Sequence, residues 1–216
     1  MKKISLLSLL FFVFNMATAQ QEISTAYATQ ATNMFAPLDK NRIPHKVLLD
    51  YGFEYTNLKA YNGILTDSTM VDVPTLKHIY NTLFSSRVTS ATTGFINPNN
   101  FDSNWKNRTA GTITVSGLYY KYNAFINDAI NLGKVNFVNN QFQDKFVSGV
   151  WQNPYQEFQA FAMAPAISKY EGLSFTVKIP STIFYSNYQS LVQSIQIDFG
   201  NGAGYVTVPF NQNVTI

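Results

Sequence analysis

Between Val73 and Phe84 the apolar side chains recur in a helical rhythm. Leu76, Ile79, Tyr80, Leu83 and Phe84 stand at i, i+3, i+4, i+7 and i+8. Such a stripe is wide enough to pack on a sheet. Asp72 is placed to cap this helix and Pro74 fits its first turn, where a missing N–H costs nothing. The pattern fades near Arg87, before Thr89 and a turn at Gly94. A shorter helix is predicted upstream: Pro44 opens it, Val47, Leu48 and Tyr51 share a face, and Gly52 is the stop.

From Thr112 the period shortens to two. Thr112 to Ser116 alternates, and Leu118, Tyr120 and Tyr122 continue the alternation after Gly117. Asn127 to Leu132 reads as a helical turn. Val135–Val138 and Gln141–Val147 read as a hairpin around Asn139-Asn140. Further strands are predicted over Glu157–Met163, Leu173–Ile179, Ser194–Phe199 and Tyr205–Phe210, punctuated by Pro154, Pro165 and Pro180. Asn201-Gly202 between two alternating runs signals a type I′ hairpin. Asn213 to Ile216 reads as a strand entering a sheet, as in the front part of a longer protein. Residues 20–35 lack a clean period and read as an extended, flexible lead-in. No repeat of fixed period is present.

The N-terminus changes the picture from fold to compartment. Lys2 and Lys3 precede an apolar run from Leu6 to Phe14, and Ala17-Thr18-Ala19 is a small-x-small cleavage site. The run is too short for a spanning helix, which needs roughly 20 apolar residues. Residues 1–19 therefore read as a cleavable signal, and the mature chain is expected to begin at Gln20, in the periplasm, on the outer surface or secreted. The formal charge of +3 falls to +1 once Lys2 and Lys3 are removed, so no basic patch points to nucleic acid or an anionic membrane. The chain has no cysteine. Export without disulfides requires a large core, and the 15% aromatic content supplies one.

Candidate chemistry is sparse. His78 lies opposite the apolar stripe of its helix, and His45 sits in the first turn of the short helix; both read as solvated. There is no Gly-x-Ser-x-Gly, no His-x-x-x-His and no carboxylate-rich loop. Asp50 with Glu54 could form an acid/base pair for glycoside hydrolysis, although capping and surface roles are commoner for such residues. Gly200 to Gly204 lacks the Lys-Ser/Thr and the helix of a phosphate loop, and Asp198 alone is too few carboxylates for calcium. No cofactor or metal is expected. Asn107-Arg108-Thr109 and Asn213-Val214-Thr215 match the glycosylation pattern, which carries weight only outside bacteria. The ligand-binding candidates are Tyr120, Tyr122, Trp151 and Tyr155. If alternation turns them outward they can stack on sugars or grip a protein; the alternative, preferred here, is burial on both faces of the sheet.

Two resemblances follow from particular residues. Ile195-Gln196-Ile197-Asp198-Phe199-Gly200-Asn201-Gly202 resembles the signature strand and turn of polycystic-kidney-disease (PKD) immunoglobulin-like repeats. Asp198, Phe199, Gly200 and Gly202 match; Ile197 stands where a Trp is usual and Asn201 where a second Asp is. The signal ending in Ala-Gln, Leu48-Leu49-Asp50-Tyr51-Gly52, Tyr61-Asn62-Gly63 and Val150 to Tyr155 resemble the N-terminal region of large exported proteins of Bacteroidetes-type bacteria secreted by the type IX route. The resemblances imply a structural or binding role and assign no catalytic residue.

The expected fold is mainly β with a small helical N-terminal element: a β-sandwich whose C-terminal part is PKD-like and incomplete. The expected division is a signal over 1–19, a lead-in over 20–35, a helix-plus-β module over 36–165 and a partial sandwich over 166–216. The expected function is a non-catalytic structural or binding module at the cell envelope, with a glycan or envelope protein as partner. The alternative is an extracellular hydrolase acting on polymer or glycan.

Overall fold

A computed structural model describes residues 26–66, 68–106, 111–166 and 171–216. The expected signal, Met1–Ala19, and the sequon at Asn107 lie outside them. The protein is mainly β, with a few helices and open sheets. It forms two compact units. One combines the described residues up to Asp39 with Asp128–Asn153; the other combines Lys40–Asn127 with Pro154–Ile216. The division expected near residue 165 is not seen, because strands from both sides of it join one sheet in the second unit.

In the first unit, residues 26–34 are helical (α1) rather than extended. Ala31, Phe35 and Leu38 are buried there, so spaced apolar contacts, invisible as a clean period, order the segment. The strands β2 (Val135–Val138) and β3 (Gln141–Asp144) form the predicted hairpin. Asn139 and Asn140 take φ of 51° and 60°, the left-handed pair that a type I′ turn demands. The second predicted arm breaks at Lys145. Its end becomes β4 (Phe146–Val147), which pairs with β5 (Val150–Trp151) around Ser148-Gly149. Asp144 ties the unit together: one carboxylate oxygen accepts from Asp39 N at 2.9 Å and the other from Trp151 Nε1 at 3.0 Å.

The second unit is built on β1 (Thr112–Phe125), which runs through Gly117 without a break. It pairs antiparallel with β6 (Tyr155–Pro165) along one side. Along the other side it pairs parallel with β7 (Thr176–Lys178) and then with β8 (Phe184–Ser186), a strand the sequence pattern did not reveal. A 3₁₀ turn over Ser181–Ile183 lies between those two strands, and Ser116 Oγ donates to Ile183 O at 2.6 Å. β11 (Asn213–Thr215) adds to the outer side of β7. A separate ribbon joins β9 (Gln196–Asp198) to β10 (Tyr205–Thr207).

Alternation along β1 sends side chains to two different layers. Leu118, Tyr120 and Tyr122 face α2 (Val73–Ser85), together with Ala160, Ala162 and Ala164 of β6. Across the ladder Leu118 meets Ala162 and Tyr120 meets Ala160. Bulky groups opposite alanines leave room for the helix stripe. α2 begins as predicted: Asp72 accepts from Thr75 N at 2.8 Å and Pro74 sits in the first turn. α3 (Pro98–Lys106), not anticipated from the pattern, places Phe101 against Tyr80 with ring centroids 4.4 Å apart. Val115, Tyr119, Met163 and Phe184 point the other way, where Ile195 and Val208 at the base of the ribbon pack on them. Gly117 is required on that face: a Cβ would lie 2.9 Å from the Phe184 ring and 3.0 Å from Met163.

Two local predictions fail for tertiary reasons. Pro44–Lys46 and Leu49–Tyr51 are single 3₁₀ turns rather than one helix. Between them Val47 and Leu48 extend: Leu48 N donates to Ser86 O at 2.9 Å and Asn123 N to Val47 O at 2.8 Å. Gly52 does end the second turn, its N–H donating to Leu49 O at 3.0 Å, with an extended backbone rather than a left-handed one. The Asn201-Gly202 segment is not a two-residue type I′ turn either. Tyr205 pairs with Asp198, so the loop between them is longer, with Gly200, Gly202 and Gly204 at positive φ. The Asp198 carboxylate holds Gly200 N at 2.8 Å and shapes the loop.

Candidate binding cleft

The ribbon covers only part of its side of the sheet. Beside it lies an open cleft of about 540 Å³, within the size range of small-molecule and peptide pockets. Its floor is the face of the sheet, made by alternate residues: Ile113 and Val115 on β1, Phe161 and Met163 on β6, Phe175 and Val177 at β7. Its wall is different. Gln196, Ile197, Asp198 and Phe199 are consecutive, and all line it. Consecutive strand residues can share one cavity only along the strand's edge, since their side chains alternate between faces. The mouth carries Leu65, Met70 and Tyr205, each around half exposed at 45%, 54% and 57%. Such apolar exposure around a cavity marks a contact surface. Among the described lining residues Asp198 is the sole Asp, Glu, Lys, Arg or His.

The far end of the same face is polar. His45 Nε2 lies 2.6 Å from Glu157 Oε2, and Lys121 Nζ donates to Glu157 Oε1 at 2.8 Å. His45 Nδ1 lies 2.8 Å from Tyr188 Oη. With Glu157 ionised, Nε2 is the donor to its carboxylate. Lys121 and then His45 hold the Glu157 carboxyl below its ordinary range by hydrogen bonding, and Glu157 in turn holds Lys121 above its own. Asn187 fixes the strand beneath them, accepting from Lys121 N at 3.0 Å and donating to Lys121 O at 2.8 Å. His45 and Lys46 both have positive φ, 59° and 56°, an uncommon backbone for such residues. The expectation of a solvated His45 is therefore corrected: its side chain is 8% exposed and engaged at both nitrogens. His78 is exposed as expected.

Of the predicted ligand-binding aromatics, the three tyrosines belong to the core of the second unit. Tyr120 and Tyr122 are buried at 0% and 2% exposure beneath the helix side of the sheet, and Tyr155, on the opposite face, is buried at 6% with its ring stacked on Phe125. The Tyr120 hydroxyl donates to Gly94 O. Trp151, in the first unit, is half-buried, its ring N–H given to Asp144. Asp50 and Glu54 serve the backbone separately: Phe125 N donates to Asp50 at 2.8 Å and Leu58 N to Glu54 at 3.4 Å. Among the described residues no group of three or more His, Asp or Glu side chains is placed to hold a metal ion, and no helix is long and apolar enough to cross a membrane. The cleft residues were missed because six of them are ordinary strand positions. The one signal was an alternation on β1, β6 and β7 in which both faces are apolar.

Comparison of the chain with protein-family models, with curated proteins and with solved structures gave no match.

Proposed function

We propose that this chain is an exported, non-catalytic binding module that holds an apolar segment of an envelope protein in the cleft beside β9. The carrying observation is the open 540 Å³ cavity with its floor of Val, Ile, Met and Phe side chains. A glycan is the weaker partner, since sugar recognition needs several directed polar groups and the floor has none. The signal pattern at Met1–Ala19 supports export to the periplasm, the outer surface or the medium. The ribbon layered over one face of the sheet, carrying the Ile195–Gly202 run, supports a β-sandwich of immunoglobulin/PKD type.

The test uses N-phenyl-1-naphthylamine, a neutral apolar dye that brightens on leaving water. Dye fluorescence is expected to rise with the protein and to be lost in Ile113→Trp, which fills the floor. Equal brightening by the variant defeats the proposal. Export is checked by N-terminal sequencing of protein from the source cells, which should begin at Gln20.

A second reading, an extracellular hydrolase acting on polymer or glycan, draws on the convergence of base, carboxylate and hydroxyl at His45 with Glu157 and Tyr188. It requires turnover that Glu157→Gln abolishes.

A further inference from the structure

We infer that the occupant of the cleft is an extended, non-acidic peptide strand that pairs with the outer edge of β9. The inference rests on the cleft being a binding site and adds the shape and chemistry of what binds. Val208 N donates to Ile195 O at 2.9 Å, and Ile197 stands opposite Val206. Hydrogen-bonded and non-hydrogen-bonded pairs alternate along an antiparallel ladder. The N–H and C=O of Ile197 therefore point to β10, while those of Gln196 and Asp198 point off the ribbon. Among the described residues no backbone hydrogen bond reaches these four groups, and β9 has β10 as its sole strand partner. Gln196 and Asp198 are also the residues whose side chains turn away from the core yet which line the cleft. Their backbone edge is what the cavity touches.

An edge beside an apolar floor is the geometry of strand addition. Main-chain hydrogen bonds hold the incoming strand, and alternate side chains fill pockets below it. Here every second residue of the guest would face Phe161, Met163, Phe175 and Val177. Charge narrows the guest further. Among the described residues Asp198 is the lining's one carboxylate and no Lys, Arg or His lines it, so these residues repel an acidic strand and accept a neutral or basic one.

The probe is a short peptide of alternating valine and threonine with lysine at both ends, titrated onto the full chain carrying the bound dye. It is expected to displace the dye. Two N-methylated versions decide the mode, one blocked at every valine and one at every threonine. In a strand, all residues of one phase point their N–H groups to the same edge. Pairing through one edge predicts that one version binds about tenfold or more weaker and the other binds as the parent does. A second variant works from the protein side. Gln196→Pro removes an outer-edge donor and spares the β9–β10 ladder, as proline is tolerated on edge strands. It should lose the peptide by a similar factor, measured against the dye affinity of the same variant. Equal binding of both methylated peptides, equal loss with both, or displacement unchanged in Gln196→Pro overturns the strand while leaving the cleft. Dye binding without peptide displacement also overturns it and makes the occupant a small molecule. Absence of dye binding removes the cleft itself.

Discussion

On the helix side of the sheet, Leu118 and Tyr120 stand opposite Ala162 and Ala160, and Tyr80 fills the space those alanines leave, fully buried. On the ribbon side, the neighbouring residues Ile113, Phe161 and Phe175 are equally apolar but half-covered, and a cavity stays open above them. The two faces share one backbone and nearly one composition. What separates them is the cover. α2 is a continuous helix whose stripe spans the strands, whereas β9 and β10 are short and pack on the sheet mainly through Ile195 and Val208. A face of a sheet is sealed by the width of the element laid on it; its own hydrophobicity only makes sealing favourable.

The comparison can be broken most sharply at Tyr80. Tyr80→Ala should cost about 3–5 kcal/mol in urea unfolding, as for other large-to-small changes in a filled core. Loss below about 1 kcal/mol would mean that the helix side is not the better packed face. Alkali attacks the same face. Burial pushes the Tyr80 and Tyr122 hydroxyls up to about 12, and raises Tyr120 and Tyr185 as well. Groups whose folded pKa is raised lend stability that is complete below the ordinary tyrosine value and is lost as pH climbs through the folded one. Unfolding should therefore set in between about pH 10 and 12, with phenolate absorbance and circular dichroism changing together. Phenolate appearing well before the loss of structure would place these rings in water.

Smaller effects sharpen the ribbon side. Gly117→Ala should cost about 1–3 kcal/mol, because its Cβ meets the Phe184 ring; a neutral result would show that this part of the face is loose as well. Phe175→Ala, at the cleft, should cost about 1 kcal/mol or less and weaken dye binding instead. The smallest change is expected at the polar end. Glu157→Gln should cost a few tenths of a kcal/mol, since the Glu157 side chain is 43% exposed and solvent screens the pair. Its sign with pH is fixed. Glu157 is depressed in the fold, so its contribution is present at neutral pH and disappears as pH falls through the acid range. The wild type should keep that increment down to about pH 4.5 and lose it as pH falls further, and Glu157→Gln should show no such loss.

Much of the fold was legible along the chain. The helix from Asp72, the long β1 and the Asn139-Asn140 hairpin each follow from local rules that agree with the tertiary structure: a cap, an alternation and a turn that tolerates positive φ. The short helix at Pro44 was misread because Val47 and Leu48 satisfy helical spacing and strand pairing equally, and bonds to Ser86 and Asn123 chose the strand. β8 was missed because three residues are too few to show a period. Of the ligand-binding aromatics, Tyr120, Tyr122 and Tyr155 proved to be core, as the preferred alternative held. The cleft left one trace in the sequence, apolar residues on both faces of β1, β6 and β7, since its floor is otherwise an ordinary strand face.

By itself the sequence determined where α2, β1 and the β2–β3 hairpin lie, because caps, turn residues and side-chain period act over a few neighbours. It also determined that both faces of the central strands would seek cover. Only the tertiary structure decided which face was sealed, which strand edge stayed unpaired, and that His45 would meet Glu157 from 112 positions away. Those outcomes depend on how long and how wide each covering element is and on pairings between distant segments, and local patterns carry no record of either.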